Sequence, residues 1–239
     1  MPSAAACCFS VYAICHSILA AMQFHYGGIH EPGSAIVFLI ALALVFDNGI
    51  IALGRVLFPD AASPRSLILP LSQIRFYAHA VLTPLLAVQA SSIGRRAGVP
   101  WLMGEGFWIW LFFGLLAFFG TAHHARHAKL VLKQPHPKEP KGSWMRQIVQ
   151  ATLADSSPTT IAFMVGPAVL VCIFTMIVGV SMRSQEAKGA VAAGDCLWIA
   201  ALIELLSNAG PPWVMQLTGN AGEVVLLGGF VAAARLISL

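Results

Sequence analysis

Residues 35–57 read AIVFLIALALVFDNGIIALGRVL, and the first twelve of them are apolar without interruption. An α-helix rises about 1.5 Å per residue, so this stretch is long enough to cross the roughly 30 Å hydrocarbon core of a membrane. Asp47 and Asn48 directly follow the apolar run. The segment therefore predicts a membrane span and, within that span, a pair of polar side chains that lipid does not accommodate.

The rest of the chain has a composition that suits more spans of this kind. Of its 239 residues, 58% are hydrophobic and 10% are charged, whereas a soluble domain has about 25% charged residues. This composition excludes a soluble globular domain and a disordered chain. The five cysteines form no C-x-x-C pair, so a disulfide framework is not indicated. The net charge of +4 is spread over several loops, and no nucleic-acid partner is expected.

Seven stretches are long and apolar enough to be membrane helices. They lie at about 4 to 23, 34 to 57, 67 to 91, 101 to 122, 158 to 182, 194 to 208 and 212 to 236. The sixth is the shortest. We therefore expect an all-α, multi-pass membrane protein made of one transmembrane domain over residues 1–239, with membrane lipid as its surroundings. The sequence does not indicate which membrane, nor an oligomeric state.

The longest connection between spans, residues 123–157, is basic and rich in proline. Within it, residues 144–153 place apolar side chains on one helical face, which predicts an amphipathic helix at the membrane interface. The side that carries the N-terminus and this connection collects eight basic residues, against five on the other side. The positive-inside rule then predicts that the N-terminus lies on the cytoplasmic or equivalent side.

Several spans carry polar residues at helical spacing, which draws polar stripes along single helix faces. Span three carries Ser72, Arg75, His79 and Thr83; span seven carries Gln216, Asn220 and Glu223; spans one and six add His16, Glu204 and Asn208. Counting residues from the start of each span places His16, Asp47, His79 and Glu223 near mid-membrane, because alternate helices run in opposite directions. Glu204 lies toward the end of span six.

These groups have two interpretations. They can simply hold the helices together, with Arg75 paired to Asp47 or Glu223 and the amides bonded between helices. However, three buried carboxylates exceed the one arginine, so at least one carboxylate needs a proton or a protonated histidine. This excess of buried carboxylates over buried cations favours a functional site. We predict Asp47, Arg75, His79 and Glu223 as catalytic candidates, and Asn48, Ser72, Glu204 and Asn220 as substrate-binding candidates.

Two further features are less informative. Glu105 lies near the start of span four between Trp101 and Trp108 and is interpreted as a residue at the lipid headgroup level. His123 and His127 have the i, i+4 spacing of a metal pair on a helix, but no acidic or cysteine ligand is near in the sequence. We therefore interpret this cluster as the basic, interfacial end of a helix.

Four functions fit the predicted site. The favoured one is a membrane-embedded enzyme with acid–base chemistry on a small-molecule, lipid or isoprenoid-like substrate, in which Arg75 holds an anionic or carbonyl oxygen. The alternatives are a proton-coupled transporter of small solutes, a b-type haem or metal protein that uses His16 and His79 as ligands, and a structural subunit of a membrane complex. No nucleotide-binding or hydrolase motif is present, and the sequence indicates no particular cofactor.

Overall fold

The computed structural model describes residues 4–27, 30–57, 67–127, 129–132, 151–153, 158–185, 188–209 and 212–238. In this part of the chain, seven helices are long and apolar enough to cross a membrane, which confirms the predicted all-α bundle. They are α1 (Ala4–Gly27), α2 (Pro32–Leu57), α3 (Ile68–Arg96), α4 (Gly106–His127), α5 (Pro158–Met182), α6 (Lys188–Ser207) and α7 (Pro212–Ser238).

The helix ends lie within five residues of the predicted spans, except at the start of the sixth helix. The sixth helix begins at Lys188 and has 20 residues, so it is about 30 Å long, which is long enough to cross the hydrocarbon layer. The fourth helix begins at Gly106 because a short 3-10 turn at Pro100–Leu102 precedes it. Gly104 follows that turn with a φ of +91°, a left-handed conformation that glycine adopts without strain.

The long connection contains a small antiparallel hairpin. Strand β1 (Leu130–Leu132) pairs with β2 (Ala151–Leu153), so the last three residues of the predicted amphipathic helix form a strand instead. Their backbone groups bond across to β1, which a helix would not allow. The rest of that predicted helix, residues 144–150, lies outside the described residues. The connection also starts later than predicted, since α4 continues to His127.

Six of the helices pack in a ring in the order α1, α2, α3, α5, α6 and α7, with α7 returning to α1. Helix α4 lies outside this ring and packs mainly against α3. Its outer face exposes large aromatic side chains, including Phe107 and Phe118, which are 67% and 65% exposed. Such a surface is stable only in lipid. The chain therefore has the architecture of a multi-pass membrane protein.

Glycines set the close contact between α6 and α7, the most extensive helix pair in the bundle. A Cβ atom added at Gly229 would lie 2.5 Å from the Cβ of Ala200 and 2.8 Å from the carbonyl oxygen of Cys196. A Cβ at the neighbouring Gly228 would meet nothing closer than 4.0 Å. A side chain larger than hydrogen therefore fits at position 228 but not at position 229.

We expect Gly229→Ala to lower the free energy of unfolding by about 1–3 kcal/mol, because α6 must move away from α7. Gly228→Ala should be neutral or slightly stabilising, since alanine favours the helix. Thermal unfolding in detergent micelles, followed by tryptophan fluorescence, measures both. Equal stability of the two variants would contradict the packing described here.

Candidate functional site: a buried cavity with an Asp–Arg–His cluster

Asp47 on α2 is held by two side chains of α3. Nε of Arg75 lies 3.1 Å from its Oδ1 atom, and Nε2 of His79 lies 3.4 Å from its Oδ2 atom. Arg75 and His79 are four residues apart and so project from the same face of α3. The side chains of Asp47 and Arg75 are only 7% and 10% exposed. A buried carboxylate of this kind depends on its cation for compensation of its lost hydration.

The contact with Asp47 also selects which nitrogen of His79 can act as a base. A carboxylate only accepts hydrogen bonds, so Nε2 carries the hydrogen that points to Asp47. In the neutral ring Nδ1 is then the acceptor. The His79 side chain is 34% exposed, and it lines a cavity between the helices. The imidazole is thus fixed on one edge and accessible on the other.

The cavity has a volume of about 90 Å³ and lies between α2, α3, α5, α6 and α7. Most of its wall is apolar, formed by residues such as Leu44, Leu82, Val171 and Leu227. The polar lining consists of His79, Thr83, Cys172, Glu204 and Glu223. A mostly apolar cavity with a few converging polar groups is typical of a site for a small molecule or for one end of a larger one.

Glu223 lies close enough to both His79 and Glu204 for their charges to interact. Oε1 of Glu204 accepts a hydrogen bond of 2.9 Å from the side-chain amide of Asn208, one turn further along α6. The Oε2 atoms of both glutamates are buried and have no hydrogen-bond partner among the described residues. Glu204 lies near the end of α6, as predicted, yet its carboxylate lines the same cavity as His79.

The other predicted site residues lie around this cavity without lining it. Asn48 donates a hydrogen bond of 2.8 Å to the carbonyl of Leu44, and its amide nitrogen lies 3.5 Å from Nδ1 of His16. Ser72 and Asn220 are buried on α3 and α7. Arg75 contacts Asp47 and is not part of the cavity wall described here.

The two histidines predicted as alternative haem or metal ligands have different surroundings. His79 lines the cavity, whereas His16 is fully buried beside Asn48 and is not part of the described cavity wall. In the described ranges, no group of three or more His, Cys, Asp or Glu side chains is placed to hold a metal ion.

Near the end of α4, His123 is partly buried and His124 is buried. His124 is 1% exposed, its Nε2 atom accepts a hydrogen bond of 3.1 Å from the side-chain amide nitrogen of Gln73, and its ring stands edge-on to that of Tyr77 at 4.8 Å. His123 stacks on Phe163, a residue of the cavity wall, with ring centroids 4.4 Å apart. The ring of His124 packs between α3 and α4, and the interfacial position of this helix end stays a prediction.

Sequence reasoning missed the contribution of α5 to the site. Phe163, Pro167, Ala168, Val171 and Cys172 line the cavity, but none of them stands out in an apolar span. Glu105, in contrast, lines a separate groove between α4 and α5 together with Trp101 and Trp108. Its position away from the buried cluster makes it a suitable control residue. No protein-family model matches the chain, and no curated protein sequence matches it.

Proposed function

We propose that the protein is a membrane-embedded enzyme that performs acid–base chemistry on a lipid or isoprenoid-like substrate, with His79 as the proton-transferring residue. The observation that carries the proposal is the geometry of this imidazole. Asp47 binds one ring nitrogen, and the remainder of the ring borders a largely apolar cavity. A reactive group of an apolar molecule can approach His79 there with most of its carbon skeleton shielded from water.

Each polar residue has a role in such a reaction. Nδ1 of His79 takes a proton from the substrate, and Asp47 stabilises the resulting imidazolium. Arg75 keeps Asp47 ionised by pairing with it at 3.1 Å. Glu223, on the same cavity and close to His79, supplies a proton to the substrate at another atom. The protons balance when His79 returns the abstracted proton to Glu223, so the cycle needs no oxidant or reductant.

A proton-coupled carrier is the second candidate, because prolines lie within two of the helices that border the cavity. Pro84 lies within α3 and Pro167 within α5, and each removes a backbone hydrogen bond. Hinges of this kind suit a helix bundle that opens alternately to either side. Proteoliposomes distinguish the two functions. A carrier takes up protons with its solute and loses this uptake in Glu223→Gln, whereas an enzyme converts a lipid with no such uptake.

The enzyme proposal is tested by the molecules that co-purify with the protein. Wild type, His79→Asn and Glu105→Gln are purified in parallel, and their bound lipids are identified by mass spectrometry. We expect one lipid species to accumulate on His79→Asn, because it binds and is not converted, and to be depleted on the other two. Identical lipid profiles for all three proteins would contradict the assignment of His79.

A further inference from the structure

Glu204 is a buried carboxylate of the cavity wall that has no arginine or lysine within salt-bridge distance among the described residues. It is only 8% exposed, and it borders the cavity together with His79 and Glu223. Asn208 satisfies its Oε1 atom, while Oε2 has no hydrogen-bond partner among the described residues. Ser207 lies beside this carboxylate, but its single hydroxyl hydrogen is donated at 2.8 Å to the backbone carbonyl of Glu204.

The contact between α6 and α7 is shaped around this side chain. A Cβ atom at Gly222 would collide with Oε2 of Glu204 and with the hydroxyl of Ser207. A Cβ atom at Gly219, one turn earlier, would lie 2.7 Å from the side-chain oxygen of Asn208. Two glycines at a spacing of three therefore leave room for Glu204 and for the amide that supports it. The packing of α6 against α7 therefore accommodates this carboxylate specifically.

The cavity wall offers the carboxylate of Glu204 no permanent positive charge among the described residues. Arg75 is engaged with Asp47, and no lysine or arginine is part of the cavity wall within the described ranges. In the proposed reaction Glu223 exchanges its proton with His79. Among the described residues of the cavity wall, His79 is the group that could carry a positive charge, and its imidazole already contacts Asp47 at 3.4 Å. A cation from outside the chain would therefore stabilise an ionised Glu204, because an unpaired carboxylate is costly in a medium of low dielectric constant.

The chemistry of the wall favours an organic cation over an inorganic one. Metal ions such as Ca²⁺ take six to eight oxygen ligands and Mg²⁺ demands six, whereas this wall is mainly aliphatic. An ammonium group with a hydrocarbon tail fits both the carboxylate of Glu204 and the aliphatic wall. Because Oε2 of Glu204 lacks a hydrogen-bond donor, a group with N–H hydrogens suits it better than a quaternary ammonium, which has none.

We propose that the cavity binds amphiphiles with a protonated primary amine, and that Glu204 receives the ammonium group. This inference rests on the proposed function, since it names the substrate class of the same site. It places the amine at the α6–α7 contact and the adjoining carbon atoms toward His79. The aliphatic side chains of α2, α3 and α5 then pack against the carbon atoms nearest the amine, and the rest of the hydrocarbon tail extends beyond the cavity of about 90 Å³.

Calorimetric titration in dodecyl maltoside micelles tests this proposal with three probes of equal chain length: decylamine, decyltrimethylammonium and decanol. We expect wild type to bind decylamine at least about tenfold more tightly than the other two, the range expected for one hydrogen bond to a charged group. Glu204→Gln should lose this preference, because the glutamine amide is neutral but similar in shape. Glu105→Gln should keep it.

Three results would overturn the proposal: equal affinity of wild type for decylamine and decanol, equal affinity for decylamine and decyltrimethylammonium, or an unchanged preference in Glu204→Gln. The first two comparisons use wild type alone and so do not depend on the folding of a variant. Failure of the proposed function gives a different result. In that case the amine binds as expected, but His79→Asn accumulates no lipid compared with wild type.

Discussion

Replacement of Arg75 by methionine is expected to lower the free energy of unfolding by about 3–5 kcal/mol, the usual cost of removing one partner of a buried ion pair. Methionine keeps much of the side-chain volume, so the loss of stability reflects the removal of the positive charge of Arg75. Asp47 would remain buried at 7% exposure, with His79 as its remaining ionisable contact. Unfolding in mixed detergent micelles, followed by tryptophan fluorescence, measures the change.

The double variant Asp47→Asn/Arg75→Met should regain most of this stability, because it buries no uncompensated charge. Arg183→Met provides the matched control. Arg183 lies 3.1 Å from Asp195, but the two side chains are 53% and 39% exposed, so their pair contributes about 0–1 kcal/mol. A double variant as unstable as Arg75→Met alone would show that the arginine acts through packing and not through its charge.

His79→Asn is expected to lower turnover of the co-purifying lipid by about 10²–10⁴-fold, the usual contribution of a general acid–base residue. Asparagine is polar, but unlike histidine it cannot take up a proton. Binding of decylamine should change by less than about threefold, or roughly 0.7 kcal/mol, because Glu204 and the apolar wall are retained. Turnover is measured in micelles and binding by calorimetry on the same preparation.

His30→Asn is the control, since His30 is exposed and lies between α1 and α2. It should leave both turnover and binding at wild-type levels. If His79→Asn kept full turnover, the assignment of this imidazole as the proton-transferring residue would be refuted. If binding collapsed together with turnover, His79 would be a residue that shapes the cavity.

The sequence was sufficient to predict the spans and the inward-facing stripe of α3. Span prediction depends on length and hydropathy alone, and these are strong signals in residues such as 35–46. The stripe follows from helical periodicity, because Arg75 and His79 are separated by one turn. Their common partner Asp47 was one of two acidic residues proposed for Arg75. The choice between Asp47 and Glu223 required the relative rotation of α2, α3 and α7, which no local pattern encodes.

The position of Glu204 in the cavity could not be read from a count along its own span. Thr218 bonds to the carbonyl of Ser207, so the first residues of α7 extend beyond the end of α6. This offset brings Glu204 beside Gly222, next to Glu223. The hairpin of β1 and β2 was missed for another reason: apolar residues at helical spacing favoured a helix, while pairing between segments 20 residues apart leaves little local signal.

The ring order of the helices has a consequence for assembly of the protein during synthesis. The ion pair of Asp47 and Arg75 lies within one hairpin, α2 and α3, and Glu204 and Glu223 lie within another, α6 and α7. The first hairpin can therefore neutralise its acidic residue with its own arginine as it enters the lipid, before the C-terminal helices exist. The cavity is lined by both hairpins and by α5, so its wall is complete only after the C-terminal helices have been made and have packed against α2 and α3.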